Sequence, residues 1–147
     1  MIGVIIILSL LLLDQISKII AKINNKSEKK YFKGFFNLTY IENSGGATGI
    51  LNGRYYILDI VTLWFLLNTI FLYRNVNFET NLLYSLGLAS VIAGVLGNFT
   101  DRIIRGYVID FIYFKKIIFK KRSVYVYNLA DFMIMIGFVL LIISIFV

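Results

Sequence analysis

Three clusters of polar residues interrupt a chain that is otherwise largely apolar, and each contains a carboxylate. The first is Asp14-Gln15-Ile16-Ser17-Lys18 and the second is Gly97-Asn98-Phe99-Thr100-Asp101-Arg102. The third is divided between Asp110, in Val108-Ile109-Asp110-Phe111, and Asn128 with Asp131, in Tyr127-Asn128-Leu129-Ala130-Asp131. The chain has no histidine and no cysteine. Imidazole bases, thiolate nucleophiles, disulfides and ordinary zinc or haem sites are thereby excluded, and no metal or cofactor is expected. What remains for hydrolysis is a pair of carboxylates sharing one proton across a water, one acting as base while the other protonates a carbonyl oxygen. Asp110 and Asp131 make the best such pair. Asp59 stands isolated within an apolar run, and Glu28, Glu42 and Glu79 read as loop residues, so none competes.

Each cluster also has a plainer reading. On a helix Asp14 and Lys18 are four apart and form an ion pair that pins one helix to its neighbours. Asn98, Asp101 and Arg102, at i, i+3 and i+4, share a face and make a polar clamp. A helix C-terminus explains the cations Arg102 and Arg105 through the dipole, but it leaves Asn98 and Asp101 without a purpose. Asn128 and Asp131 suit a helix start, the first as cap and the second at the positive dipole end. Asp110 has apolar neighbours on both sides and gains nothing from that account, because an acid so placed needs a buried partner.

The elements that must position these residues are membrane spans. Of 147 residues 59% are hydrophobic and 16% charged, and the mean hydropathy is +0.82, values that fit a chain in lipid. Runs of about 20 apolar residues mark spans near residues 2–23, 55–73, 82–105 and 128–147. The fold class is therefore an all-α membrane protein of four transmembrane helices, forming one domain over residues 1–147. The first run resembles a leader peptide, yet it lacks a preceding basic residue and a small-residue cleavage site, and it is expected to be retained. Gly87, Ser90, Ala93, Gly94 and Gly97 allow close helix approach, which makes the third span the central one. No soluble tail is expected after the fourth.

Between the first two spans, Phe35-Phe36-Asn37-Leu38-Thr39-Tyr40-Ile41 is β-prone and leads to Gly45-Gly46, so a small surface sheet is expected there. Residues 106–127 read as a basic interfacial loop, extended over Ser123-Val124-Tyr125-Val126-Tyr127. The net charge of +7 comes from residues flanking apolar spans, which points to anionic membrane lipids as partners and not to nucleic acid. Both long loops are basic, and by charge bias alone they belong in the cytoplasm. Two other classes compete with hydrolysis: an ion-coupled transporter with a relay through Asp14, Lys18, Asp59 and Asp101, and a non-catalytic assembly subunit. The relay is weakened because Asp110 and Asp131 flank spans at one surface.

Taken together and in order, the motifs resemble those of the lipoprotein signal peptidases, or signal peptidase II, bacterial membrane aspartic peptidases. Asp14-Gln15-x-Ser17-Lys18, Asn43-x-Gly45-Gly46-Ala47-x-Gly49, Gly97-Asn98-x-x-Asp101-Arg102, Val108-Ile109-Asp110-Phe111 and Asn128-Leu129-Ala130-Asp131 carry the resemblance over nearly the whole chain. It implies Asp110 and Asp131 as catalytic residues, with Asn43, Asn98, Asp101, Arg102 and Asn128 arranging site and substrate, and Asp14 and Lys18 supporting them. The implied substrate is a prolipoprotein whose cysteine carries diacylglycerol, cut just before that cysteine. The resemblance also implies a bacterial cytoplasmic membrane, an extracytoplasmic sheet subdomain, an active site facing the outer side and both termini inside, against the charge bias. A monomer is the expected state. Gly46 and Thr48 depart from the Gly-Ala-Ala-aromatic-Gly pattern of the loop motif, which bears on substrate fit.

Overall fold

The computed structural model describes residues 1–24, 29–31, 36–44, 55–118 and 121–147. Apolar runs of helical period form α1 (Ile2–Ile23), α2 (Tyr55–Tyr73), α3 (Leu82–Arg105) and α4 (Leu129–Ile143). The first three are long and apolar enough to cross a membrane. The fourth is a 15-residue helix followed by turns through Phe146, shorter than the span expected over 128–147. At 1.5 Å per residue it rises about 22 Å against a hydrocarbon core of roughly 30 Å.

The third helix is central, as its small residues require. Its most apolar window is 61% buried, against 11% for each of α1 and α2. It packs on α4, α1 and α2. At Gly94 the backbones nearly touch: an added Cβ would meet the Ala130 carbonyl and stand 2.8 Å from Ile134 Cγ1. Leu66 of α2 joins Val91, Ile92 and Val95 of α3 in the apolar core. Elsewhere α1, α2 and α4 turn large side chains such as Leu12, Trp64 and Val139 outward, as helices solvated by lipid do.

The two long connections fold together. β1 (Lys29–Tyr31), β2 (Phe36–Asn43), β3 (Val108–Ile118) and β4 (Lys121–Tyr127) form one antiparallel sheet in the order β1-β2-β3-β4. The surface sheet is thus present, but residues 106–127 are not the loop that their basic character suggests: most of them are strand, and Glu42 also lies in a strand. The β-branched and aromatic residues of 108–114 and 124–127 suit a pleated surface, and cross-strand pairing outweighs the interspersed charges. Residues 45–54, with Gly45, Gly46 and Thr48, and Glu28 lie outside the described residues.

Candidate active site

Gly106 turns the end of α3 into the sheet. Its φ of +79° lies in the left-handed region, which costs a side chain but not glycine. Its N–H closes on the Arg102 carbonyl. Three residues later Ile109 N–H donates to Asp101 Oδ2 at 3.3 Å, and Asp110 follows at 3% exposure. Thus α3 itself fixes the entry of the strand that carries the acid.

Strand register brings Asn43 to Asp110. Ile41 pairs with Asp110 and Asn43 with Val108, so Asn43 and Asp110 are diagonal neighbours on one face. A bulge between Leu38 and Ile41 sets that alternation. Asn43 Nδ2 donates to Asp110 Oδ2 at 2.7 Å. On the other side β3–β4 pairing reaches Ile112 opposite Tyr127, and the next residue, Asn128, caps α4 while its Nδ2 donates to Asp110 Oδ1 at 2.8 Å.

Asn128 and Asp131 form a capping box, with Asp131 N–H on Asn128 Oδ1 at 3.0 Å and Asn128 N–H on Asp131 Oδ2 at 3.1 Å. The helix-start reading is therefore correct for both residues, and it coexists with the site. Asn98 Nδ2 donates to the remaining oxygen, Asp131 Oδ1, at 2.9 Å. Each of the four carboxylate oxygens of Asp110 and Asp131 accepts one amide N–H. A carboxylate oxygen has room for a further bond, so each acid can still accept one from a water.

Beneath this pair lies a charged layer. Lys18 is fully buried and reaches Asp14 Oδ2 at 2.7 Å, Asp101 Oδ2 at 3.0 Å and Asn98 Oδ1 at 3.0 Å. Asp14 Oδ1 accepts Ala130 N–H at 2.9 Å, placing an anion at the positive end of α4. Arg105 pairs with Asp101 and donates to Gln15 Oε1 at 3.1 Å. Two acids and two cations balance here, the condition under which buried charge is tolerated. The Asp14–Lys18 ion pair is structural and also part of the site, because Lys18 and Asn128 Nδ2 both donate to Asn98 Oδ1. That leaves the Asn98 N–H₂ to face Asp131.

Two expectations need correction. Asp59 is not isolated: its Oδ1 lies 3.8 Å from Arg102 Nε. Asn98, Asp101 and Arg102 do not act as one clamp. Helical rotation of about 100° per residue turns Asp101 into the charged layer and Arg102 toward α2, where its Nη1 meets Thr62 Oγ1 at 3.5 Å. Asn98 lies between them. Sequence reasoning also gave no role to Gln15, whose Nε2 donates to Gly97 O and Asp14 Oδ2 at 3.2 Å and to Asp101 Oδ1 at 3.3 Å. A polar amide inside an apolar run, next to the motif acid, was the available signal.

Electrostatically Asp110 is poised near neutrality. Burial, first of all, raises it from 3.8 to about 6; the neighbouring Asp131 charge acts the same way, while hydrogen bonds from Asn43 and Asn128 oppose both. Asn98, which donates to Asp131, also lines a cavity of about 300 Å³ between α2, α3 and α4, where Arg102 and Thr62 join Val95, Phe65 and Ile134. A buried pair of acids next to an apolar cavity fits hydrolysis of a bond delivered by an apolar substrate.

Comparison with known proteins agrees. Residues 6–147 match the family model described as Signal peptidase (SPase) II. A lipoprotein signal peptidase of Caldicellulosiruptor bescii is 39% identical over 141 residues, spanning 93% of this chain and 85% of its own. One from Clostridium novyi is 33% identical over 143 residues, with 94% and 93% covered. A solved structure described as a bacterial membrane enzyme, determined by the in meso method, superposes with a TM-score of 0.82 at 29% identity, covering 98% of this chain and 87% of that one. The chain belongs to the signal peptidase II family.

Proposed function

We propose that this member of the signal peptidase II family is a membrane aspartic endopeptidase that removes signal peptides from diacylglyceryl-modified prolipoproteins, cutting before the lipidated cysteine. Asp110 and Asp131 are its catalytic pair. The observation that carries this reading is the amide cradle, in which every oxygen of two neighbouring acids is fixed by a separate N–H donor. Such a cradle aims both acids without neutralising either, as no cation makes a salt bridge with them among the described residues.

In the reaction one carboxylate is ionised and the other holds the shared proton. The ionised acid takes a proton from a water lying between them as its oxygen attacks the scissile carbonyl carbon, and the second acid gives its proton to the carbonyl oxygen. A neutral tetrahedral diol results. Its collapse breaks the C–N bond while the first acid passes its new proton to the departing nitrogen of the lipidated cysteine. The second acid regains a proton from the diol hydroxyl as the carboxyl product forms, and the pair returns to its singly protonated state. Asn43, Asn98 and Asn128 hold the acids, Asp14, Lys18 and Asp101 hold the asparagines and the β3 entry, and Arg102 faces the cavity where peptide carbonyls arrive.

The whole of residues 1–147 acts as a single domain in the bacterial cytoplasmic membrane, surrounded by lipids and working as a monomer, with no nucleic acid partner. The sheet end faces the outer side, where a lipidated precursor presents its scissile bond. Cleavage of a synthetic precursor by the purified, detergent-solubilised protein tests the reading: the diacylglyceryl form is cut, and the same peptide with an unmodified cysteine is cut poorly. Equal rates on both peptides overturn the proposed specificity.

A further inference from the structure

The first turns of α2 carry an acid that the catalytic network leaves unused. Asp59 Oδ1 accepts no hydrogen bond among the described residues although it is buried. It faces Arg102 Nε at 3.8 Å, close enough for charge attraction and too far for a hydrogen bond. One turn on, Thr62 Oγ1 accepts from Arg102 Nη1 at 3.5 Å. Residues i and i+3 of one helix face thus hold the guanidinium from two points. The two charged side chains retain 28% and 15% exposure, so the contact sits at the rim of the cavity and is open to an arriving substrate.

The surroundings explain why such a hold matters. The charged groups that converge here are Lys18 from α1, Asp59 from α2, Asp101, Arg102 and Arg105 from α3, Asp110 from β3 and Asp131 from α4. Lys18 is balanced by Asp14 and Asp101, and Arg105 by Asp101. Among the described residues Arg102 has Asp59 as its ion-pair partner. Arg102 shares the cavity wall with Asn98, which itself donates to Asp131. An arginine cannot give up its proton. Left without Asp59, its charge is drawn toward the catalytic carboxylates, and a cation within about 4–6 Å favours their ionised forms. That would expel the one proton the pair must share.

We propose that Asp59 is a positioning residue of this endopeptidase, holding the Arg102 guanidinium against α2 at the cavity rim and limiting its pull on the Asp110–Asp131 pair. This rests on the aspartic mechanism proposed above. The role is not evident in sequence, where an aspartate in an apolar span shows no partner.

The test is the pH profile of kcat/KM for the full-length enzyme on a diacylglyceryl precursor peptide, comparing wild type with Asp59→Asn, Asp59→Glu and Thr62→Val. In Asp59→Asn the alkaline limb moves down by about one pH unit, as expected for a carboxylate pair gaining a nearby cation. Activity at neutral pH then falls about tenfold while activity on the acid side changes little. Asp59→Glu keeps the charge and restores the wild-type limb, and Thr62→Val moves it in the same direction by less. A role confined to fastening α2 lowers activity equally at all pH values, and that result, or an unchanged profile, overturns the proposal. Should Asp59→Asn fail to insert, Thr62→Val decides alone, and an unmoved limb counts against the idea. If the wild-type protein does not cut the lipidated peptide at all, the aspartic peptidase reading has failed instead.

Discussion

Asn128 joins the two acids of the site, donating its side-chain amide to Asp110 Oδ1 at 2.8 Å and its backbone N–H to Asp131 Oδ2 at 3.1 Å. The same side chain caps α4. Helix start and the geometry of the acid pair are therefore one feature, and a substitution can separate them. Asn128→Ser keeps a good cap but is too short for Asp110. It is expected to retain the cap, while the lost buried bonds to Asp110 and Asn98 cost about 1–3 kcal/mol and cleavage falls on the order of a hundredfold, as misplaced catalytic groups do. Asn128→Ala should lose activity and about 1 kcal/mol of further stability. Thermal unfolding in detergent beside a cleavage assay checks both, and a fully active Asn128→Ser enzyme would reduce Asn128 to a cap.

In the proposed mechanism the pair acts as a unit, since loss of either carboxyl removes both the base and the acid. Asp110→Asn, Asp131→Asn and the double variant should be inactive to a similar extent, with non-additive losses. Asparagine nearly matches aspartate in shape, so insertion and folding should survive. Near wild-type cleavage by either single variant would falsify the aspartic mechanism.

Asp110 links activity and stability to pH. For kcat/KM, which reports the free enzyme, the alkaline limb should fall near the value of about 6 to which burial raises Asp110, with both apparent values belonging to the pair. The stability consequence has a definite sign. Between 3.8 and about 6 the folded protein holds a proton on Asp110 that the unfolded chain has released. Unfolding free energy therefore declines as pH rises through this window. Asp110→Asn should lose this part of the pH dependence, although its amide N–H₂ would face a donor where a carboxylate oxygen accepted one. Unfolding curves at pH 4 and pH 7 for both proteins measure the difference, and parallel shifts would contradict it.

Gly94 marks a close approach of α3 to α4. Its absent side chain leaves room for the Ala130 carbonyl and for Ile134 N, which would stand 3.2 Å from an added Cβ. Backbone cannot yield as a flexible side chain does. Gly94→Ala is expected to cost about 1–3 kcal/mol through overpacking and to depress activity, because the displaced Ala130 adjoins Asp131 and also donates its N–H to Asp14. An unaltered melting temperature would argue that the helices separate without strain.

Orientation can be read with reporter fusions. Both long connections contribute to one sheet and must lie on one side. A reporter within residues 115–122 should read outside the cell and one after Asn77 should read inside. The opposite pattern would restore the charge-bias assignment.

How much of this was legible beforehand follows from the range of the forces involved. Apolar runs of span length and a cluster of small residues dictate helices, lipid exposure and a central α3, because these depend on local composition and period. The absence of histidine and cysteine narrowed the chemistry to carboxylates, and the isolation of Asp110 among apolar residues marked it for burial with a partner. The pairing of the two connections was not local. That Asn43 meets Asp110 depends on a bulge and a register across residues far apart in the chain, and residues 108–118 are strand because β2 and β4 flank them. The partition of the third-span motif was equally hidden: Asp101 and Arg102 are adjacent in sequence, yet one is buried with Lys18 and the other reaches Asp59. Sequence determines which side chains exist and the local period at which they emerge. Only tertiary packing decides which neighbour each one meets, because a step of about 100° along a helix changes the facing element, and the charge on that element decides whether the residue pairs, supports the acids or is held away from them.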